Sequence, residues 1–219
     1  MKYIRIIGQI WADKYPPSRP RPHLLIEKLL MTPLIAIRLF SLDNVKSLFN
    51  EAGSHIFMDV YVLAFGAILT AILFLPSHLG VFGVFVAAYR IGDILTYRLY
   101  FMLVKSQSQP WSAPILRRSL LIVILNFCET IIGYAVLYRT VGDIIPTNAS
   151  ASGLFTSVTA LYFSTVTATT LGYGDYIPGS DFSRVLVMTQ LGGTILFLIF
   201  IIPALVSLFS GDRSNLAPL

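Results

Sequence analysis

The chain has 219 residues, of which 55% are apolar and only 12% are charged, whereas roughly a quarter of a soluble domain is charged. Its mean hydropathy is +0.74, and a protein this small cannot bury so much apolar surface in water. The composition excludes a disordered chain, argues against a cytosolic enzyme and predicts a polytopic membrane protein. The single cysteine, Cys128, excludes an intrachain disulfide. The net charge of +5 is attributed to an excess of lysine and arginine on cytoplasmic segments, as is usual in membrane proteins. It is therefore not taken to indicate a nucleic-acid partner.

Residues 1–55 are predicted to be a cytoplasmic N-terminal segment. Prolines between residues 16 and 22 break regular structure. The stretch over about 23–40 is a poor span because it contains Glu27, Lys28, Pro33 and Arg38. A helix in the cytoplasmic membrane interface is the preferred interpretation. The alternatives are a fifth span, which would place the N-terminus outside, and an ordinary soluble helix packed on the membrane core.

Four later stretches reach the roughly 20 apolar residues that a membrane span needs. They lie at about 57–75, 79–104, 119–138 and 184–209. The sequence therefore predicts an all-α membrane protein with two N-terminal transmembrane helices in 56–105, two further spans within 117–210 and a short cytoplasmic tail in 211–219. The lysines and arginines of the first 55 residues and of the 104–118 loop place both termini in the cytoplasm of a multi-pass cell-membrane protein in the lipid bilayer.

A different stretch, about 154–183, separates the third and fourth spans. Its apolar first part, about 154–168, is too short to cross the membrane and is typical of a re-entrant helix. Its second part is rich in glycine, threonine and proline. Such backbone survives at membrane depth only where protein buries it or water hydrates it.

The segment Thr169-Thr170-Leu171-Gly172-Tyr173-Gly174-Asp175 follows this short helix. A pore that passes a dehydrated cation must replace the water oxygens of the ion with fixed oxygens. Successive backbone carbonyls can do so if the backbone alternates in hand, which requires positive φ, and glycine adopts positive φ without steric cost. Gly172 and Gly174 stand two residues apart, as such an alternation needs, and Thr170 adds a hydroxyl oxygen.

This heptad resembles the selectivity filter of potassium channels, whose usual core is T-V-G-Y-G-D; Leu171 replaces the valine. Outer span, short pore helix, filter and inner span follow in the family's order over about 119–210, so the resemblance implies a pore domain in 117–210. The resemblance implies potassium ions, and no other cofactor, at Thr170, Leu171, Gly172 and Tyr173, with Gly174 completing the filter.

Further residues support the filter in this resemblance. Tyr162 and Phe163 stand where the family commonly has an aromatic pair, and are expected to pack behind Tyr173. Asp175 is expected to accept a hydrogen bond from the Tyr162 hydroxyl. Val166 occupies a position that is acidic in some two-span bacterial channels. The predicted supporting residues are thus Thr169, Asp175, Tyr162, Phe163 and Val166.

The inner span carries candidate gate and hinge residues. Gly192 and Gly193 predict either a bend, since glycine weakens a helix by about 1 kcal/mol, or close helix packing. Pro203 follows Ile202 and resembles the second proline of the P-V-P kink of voltage-gated potassium channels. Ile202 and Val206 are expected to line the cavity, where an apolar constriction gates by dewetting, or alternatively to face lipid or the outer helix.

Ionisable residues at membrane depth usually pair or face water. Arg90 and Asp93 are three residues apart and can pair locally, and Glu129 is a candidate partner of Arg98. The two arginines are eight residues apart, so they form no regular voltage-sensing ladder.

One filter motif per chain predicts a homotetramer, because a ring of carbonyls needs four strands. The leading hypothesis is a passive potassium channel, not an enzyme. The alternatives are a potassium-transporter subunit and a weakly selective cation channel. A membrane enzyme is a further alternative, but the sequence contains no catalytic motif that supports it. The gating stimulus and a separate regulatory partner are left open.

Overall fold

The computed structural model describes residues 2–12, 25–37, 51–75, 80–100, 113–147 and 155–213. In chain order its elements are α1 (Lys2–Trp11), α2 (Leu25–Ile37), α3 (Glu51–Phe74), α4 (Gly80–Tyr100), α5 (Ala113–Thr140), β1 (Ile144–Pro146), α6 (Ser157–Ala168), β2 (Tyr176–Pro178) and α7 (Asp181–Arg213). The predicted all-α membrane fold is confirmed, with one short β-ribbon added.

Four of these helices are long and apolar enough to cross a membrane. The qualifying stretches are Ile56–Phe74, Gly80–Tyr100, Arg118–Thr140 and Asp181–Pro203. They correspond to the four predicted spans. Helix α6 has 12 residues and is therefore about 18 Å long, well short of the roughly 30 Å hydrocarbon core.

One compact unit contains residues 1–58 and 93–110. Within it, α1 packs on α2 through buried apolar side chains: Ile6, Ile10, Met31 and Ile35. The Trp11 indole N–H donates to the Thr32 hydroxyl at 3.1 Å, and the Lys28 ammonium lies 5.9 Å from the centre of the Trp11 ring. The predicted helix over about 23–40 is observed as α2, whereas α1 is not predicted from the sequence.

The second unit contains residues 59–92 and 111–219. Here α6 packs against both α5 and α7. The Phe163 ring of α6 meets the Tyr138 ring of α5 edge to face, with centroids 4.9 Å apart. Phe127 of α5 packs on Phe197 of α7 at 5.2 Å. One aromatic contact therefore holds the short helix to α5, and the other joins the two longer helices directly.

The C-terminal end of α3 is capped within this second unit. The Arg139 guanidinium at the end of α5 donates to the carbonyls of Leu73 and Leu75. The Ser157 hydroxyl at the start of α6 also donates to the Leu73 carbonyl, at 2.7 Å. The last carbonyls of a helix lack intrahelical partners and carry partial negative charge. A cation and a hydroxyl therefore satisfy the end of α3 and tie it to α5 and α6.

Strands β1 and β2 form an antiparallel ribbon, in which Ile144 pairs with Pro178 and Pro146 with Tyr176. Beyond the ribbon, the Gly179 amide donates to the Asp143 carbonyl at 2.8 Å. The ribbon thus joins the chain just after α5 to the chain just after the heptad.

Candidate functional site

The heptad runs from the end of α6 to the start of β2, and its backbone alternates in hand. The φ angles of Thr170, Gly172 and Gly174 are 57°, 57° and 76°, whereas Leu171 and Tyr173 between them do not have positive φ. Reversal of hand at every second residue lets successive carbonyls point to the same side. The alternation expected from the two glycines is observed, and it begins two residues before Gly172, at Thr170.

Thr170 is the only non-glycine residue with positive φ in the described part of the chain. A β-branched residue in this conformation costs on the order of 1–3 kcal/mol. Two hydrogen bonds hold it there. The Thr170 amide donates to the Thr167 carbonyl and the Leu171 amide to the Val166 carbonyl, both at 3.0 Å. This is the hydrogen-bond pattern of a Schellman cap, in which glycine usually takes the left-handed position.

The glycines are required by conformation and not by space. A Cβ added at Gly172 or Gly174 meets no heavy atom within 4 Å in the subunit. The positive φ at both positions nevertheless strains any side chain. Loss of either glycine therefore acts on the backbone alternation itself.

Tyr162 contacts the heptad at two points. Its ring is parallel to that of Tyr173, at an interplanar angle of 2° with centroids 6.5 Å apart. Its hydroxyl donates to Asp175 Oδ2 at 2.8 Å, so the predicted hydrogen bond is present. Donation to a carboxylate favours the protonated phenol and raises the pKa of Tyr162 to about 12. The phenol therefore remains a donor at neutral pH.

Phe163 takes a role that the sequence does not predict. Its side chain is buried, at 7% exposure, and packs on Tyr138. The two members of the predicted aromatic pair point in different directions: Tyr162 contacts the heptad, and Phe163 anchors α6 to α5. Neighbouring side chains of a helix differ by about 100° in direction, and this divergence follows from that rotation.

Thr147 is a further residue at the C-terminal end of the heptad. Its hydroxyl donates to the Gly174 carbonyl, and its amide donates to the Asp175 carbonyl at 2.9 Å. No motif marks Thr147 in the sequence, because these contacts depend on the ribbon that precedes it.

The candidate gate residues all lie in α7, which is helical through Pro203. Ile202 and Val206 are exposed on the subunit surface, at 56% and 62%. A Cβ at Gly192 meets no heavy atom within 4 Å, so the described subunit supplies no close neighbour that would explain this glycine by packing. Gly193 is buried. The roles of these residues as hinge and gate stay predictions.

A buried ion pair joins α4 to α5. The Arg90 guanidinium donates to Glu129 Oε2 through Nε at 3.0 Å and through Nη2 at 2.6 Å. It also donates to Asn126 Oδ1 at 3.3 Å and lies over the rings of Tyr61 and Phe65, 4.7 and 5.1 Å from their centres. The pairings considered from the sequence, Arg90 with Asp93 and Glu129 with Arg98, do not include this one.

Residues 121–210 match the protein family described as ion channel. The matched segment contains most of α5, then β1, α6, the heptad, β2 and most of α7, and so agrees with the family resemblance over about 119–210. This segment is therefore similar to an ion-channel domain, and ion channels are not a class of enzymes. Together with the four apolar helices, the match makes this a multi-pass membrane protein. Comparison with curated proteins gave no match, and neither did comparison with solved structures.

Proposed function

We propose that this protein is the subunit of a passive, potassium-selective channel whose filter is the TTLGYGD heptad. The observation that carries the proposal is the alternation of backbone hand at Thr170, Gly172 and Gly174. It allows a single file of carbonyl oxygens to replace the hydration shell of a potassium ion. Potassium is bound at Thr170, Leu171, Gly172 and Tyr173, and no other cofactor is needed.

The assembly that completes this filter is a homotetramer with a four-fold axis. One subunit supplies one wall, and a ring of carbonyls needs four. The exposure of the heptad in a single subunit supports this assembly: the side chains of Leu171 and Tyr173 are 59% and 67% exposed. Neighbouring subunits cover them. Exposed apolar residues on α7, including Ile195, Ile202 and Val206, then line the cavity or the subunit contacts.

The orientation follows from the distribution of lysine and arginine, with both termini cytoplasmic and the heptad near the outer face. Cysteines placed at Ser77 and Asn148 in a Cys128-free background are expected to react from outside, and a cysteine at Ser108 only from inside. External labelling at residue 108 would reverse the topology. Native mass measurement is expected to give four copies of 24.3 kDa, and a conducting monomer or dimer would contradict the tetramer.

Purified protein in planar bilayers under a potassium–sodium gradient tests the function. We expect single-channel currents that reverse near the potassium equilibrium potential and are blocked by barium, which has nearly the size of potassium and twice its charge. Flux far below channel rates would favour a transporter subunit. Reversal near zero would favour a weakly selective cation channel. Varying voltage, pH and calcium in turn identifies the gating stimulus.

A further inference from the structure

A chain of buried hydrogen bonds crosses the pore domain behind the heptad. The Tyr138 hydroxyl of α5 donates to Gln190 Oε1 of α7 at 2.7 Å. Gln190 Nε2 donates to both the carbonyl and the hydroxyl of Ser164 in α6, each at 2.9 Å. The Ser164 hydroxyl donates onward to the Ile131 carbonyl of α5 at 2.7 Å. The chain therefore begins and ends on α5 and passes through the other two helices.

Each side chain in this network is fully buried: Tyr138 and Ser164 are 0% exposed and Gln190 is 1% exposed. The Gln190 amide uses its oxygen as an acceptor and its nitrogen as a donor, so the chain has a consistent direction. At membrane depth, an amide that loses these partners finds no water to replace them. The three helices are thus held at one relative register by groups that have no alternative partners nearby.

Ser164 stands between two residues of α6 that contact the heptad, Tyr162 and Val166. Two positions before it, Tyr162 stacks on Tyr173 and donates to Asp175. Two positions after it, the Val166 carbonyl accepts the Leu171 amide. Gln190, in turn, lies two residues before Gly192 on α7. A shift of α7 at this level is therefore transmitted to the helix that carries the heptad through one side chain.

We infer that Gln190 is a positioning residue that stabilises the conducting conformation of the filter by holding α6 to α5 and α7. The inference rests on the proposed function and adds to it a side chain that supports the filter from behind α6. Gln190 itself touches no ion.

Single-channel recording of Gln190→Met tests the inference, because methionine keeps the length and removes every hydrogen bond of the amide. At low external potassium, the ratio of non-conducting to conducting time is expected to rise about tenfold, as for a buried hydrogen-bond group left unsatisfied. Potassium ions bind the conducting filter, so high external potassium should restore conduction by mass action. Damage to the fold, or to a gate elsewhere in α7, would not be reversed in this way.

Two tyrosines on the same face of α5 provide a matched pair. Tyr138→Phe removes the hydroxyl that donates to Gln190, and is expected to raise the same ratio about threefold. Tyr134→Phe removes the hydroxyl of a buried side chain, 3% exposed, that takes no part in the described network. It should leave the ratio unchanged. In the Gln190→Met background Tyr138→Phe should have no further effect, since both changes break one chain.

Equal behaviour of Tyr138→Phe and Tyr134→Phe, or a potassium-insensitive loss of current in Gln190→Met, would overturn the inference. If Gln190→Met does not assemble, Tyr138→Phe alone decides in the same way. A wild-type protein that passes no potassium-selective current would overturn the proposed function instead. Wild-type currents that are potassium-selective while the variants match them would leave that function standing and remove the role of Gln190.

Discussion

In the proposed channel, the heptad and the Arg90–Glu129 pair both accommodate a positive charge, but with different chemistry. The heptad offers neutral carbonyl dipoles oriented by alternating φ at Thr170, Gly172 and Gly174. The pair sets a full carboxylate against a guanidinium at 2.6 Å, with both side chains almost completely buried. The cation at the heptad is an ion that passes through the pore, whereas the cation of the pair is the Arg90 side chain and stays in place.

The difference shows that the formal charge of the oxygen ligands determines how long a cation stays bound to them. Two unit charges in contact at low dielectric attract strongly, and removing one of them from a buried pair typically costs about 3–5 kcal/mol. Neutral oxygens bind an ion tightly enough to strip its water and weakly enough to release it. Oxygens without charge are therefore suited to conduction, and a carboxylate to joining α4 and α5.

The largest effect is expected at the heptad. Gly172→Ala should abolish potassium current, by about 100-fold or more, because a Cβ disfavours the positive φ on which the carbonyl alternation depends. The matched control is Gly92→Ala in α4, where a Cβ meets no heavy atom within 4 Å and no positive φ is required; it should conduct normally. Normal potassium current through Gly172→Ala would show that the heptad is not the filter.

The next effect should fall on stability. Glu129→Leu leaves the Arg90 charge buried without its carboxylate and should destabilise the folded protein by about 3–5 kcal/mol. Adding Arg90→Met to the same chain should recover most of this loss. The exposed pair Arg118–Asp59, at 37% and 49% exposure, is the control, and Asp59→Asn should change stability by less than about 1 kcal/mol. Thermal unfolding in detergent measures all three, and equal losses in both pairs would contradict the contrast.

A smaller effect is expected at the aromatic contact of the heptad. Tyr162→Phe keeps the ring stacked on Tyr173 and removes the hydroxyl that donates to Asp175, and should shorten the conducting dwell time about threefold. Tyr176→Phe is the control, because the Tyr176 ring meets Tyr162 edge-on and is retained in the phenylalanine. Single-channel dwell times compare the two variants, and equal shortening in both would remove the role of the Tyr162–Asp175 bond.

The smallest effect concerns voltage. A sensor must move several charges per subunit, each contributing about 2.3 kcal/mol per 100 mV. Arg90 is held by Glu129, so we expect at most about one effective charge per subunit and nearly ohmic currents in symmetric potassium. The steepness of open probability against voltage measures this. A slope of about eight or more charges per tetramer that disappears in Arg90→Gln and Arg98→Gln would make α4 a voltage sensor.

The same contrast explains which features the sequence predicts. The heptad is local: its two glycines and its position after a short apolar helix are enough to indicate an alternating backbone. The positive φ of Thr170 is harder to predict, because threonine disfavours it. It depends on the cap at the end of α6, where the Thr167 and Val166 carbonyls accept the amides of Thr170 and Leu171.

Contacts between helices are not predictable from spacing in the same way. Arg90 meets Glu129, 39 residues away, because the rotation of α4 and α5 about their axes brings the two side chains together, and hydropathy contains no information on that rotation. Gln190 gives a weaker signal, a polar amide within a long apolar span, which indicates a buried partner without identifying Ser164. Helix α1 is not predicted because it has only 10 residues, fewer than the 11 to 18 over which helical periodicity is judged.

The β-ribbon has a consequence for how the pore loop is built. Because Ile144 pairs with Pro178, the chain leaves α5 and returns to α7 through two adjacent strands. The segment between the two strands is therefore a loop whose ends lie side by side. The entropic penalty of closing such a loop grows only logarithmically with its length. A change in the length of this loop is thus expected to cost little free energy and to leave α5 and α7 in place, provided that the two strands still pair.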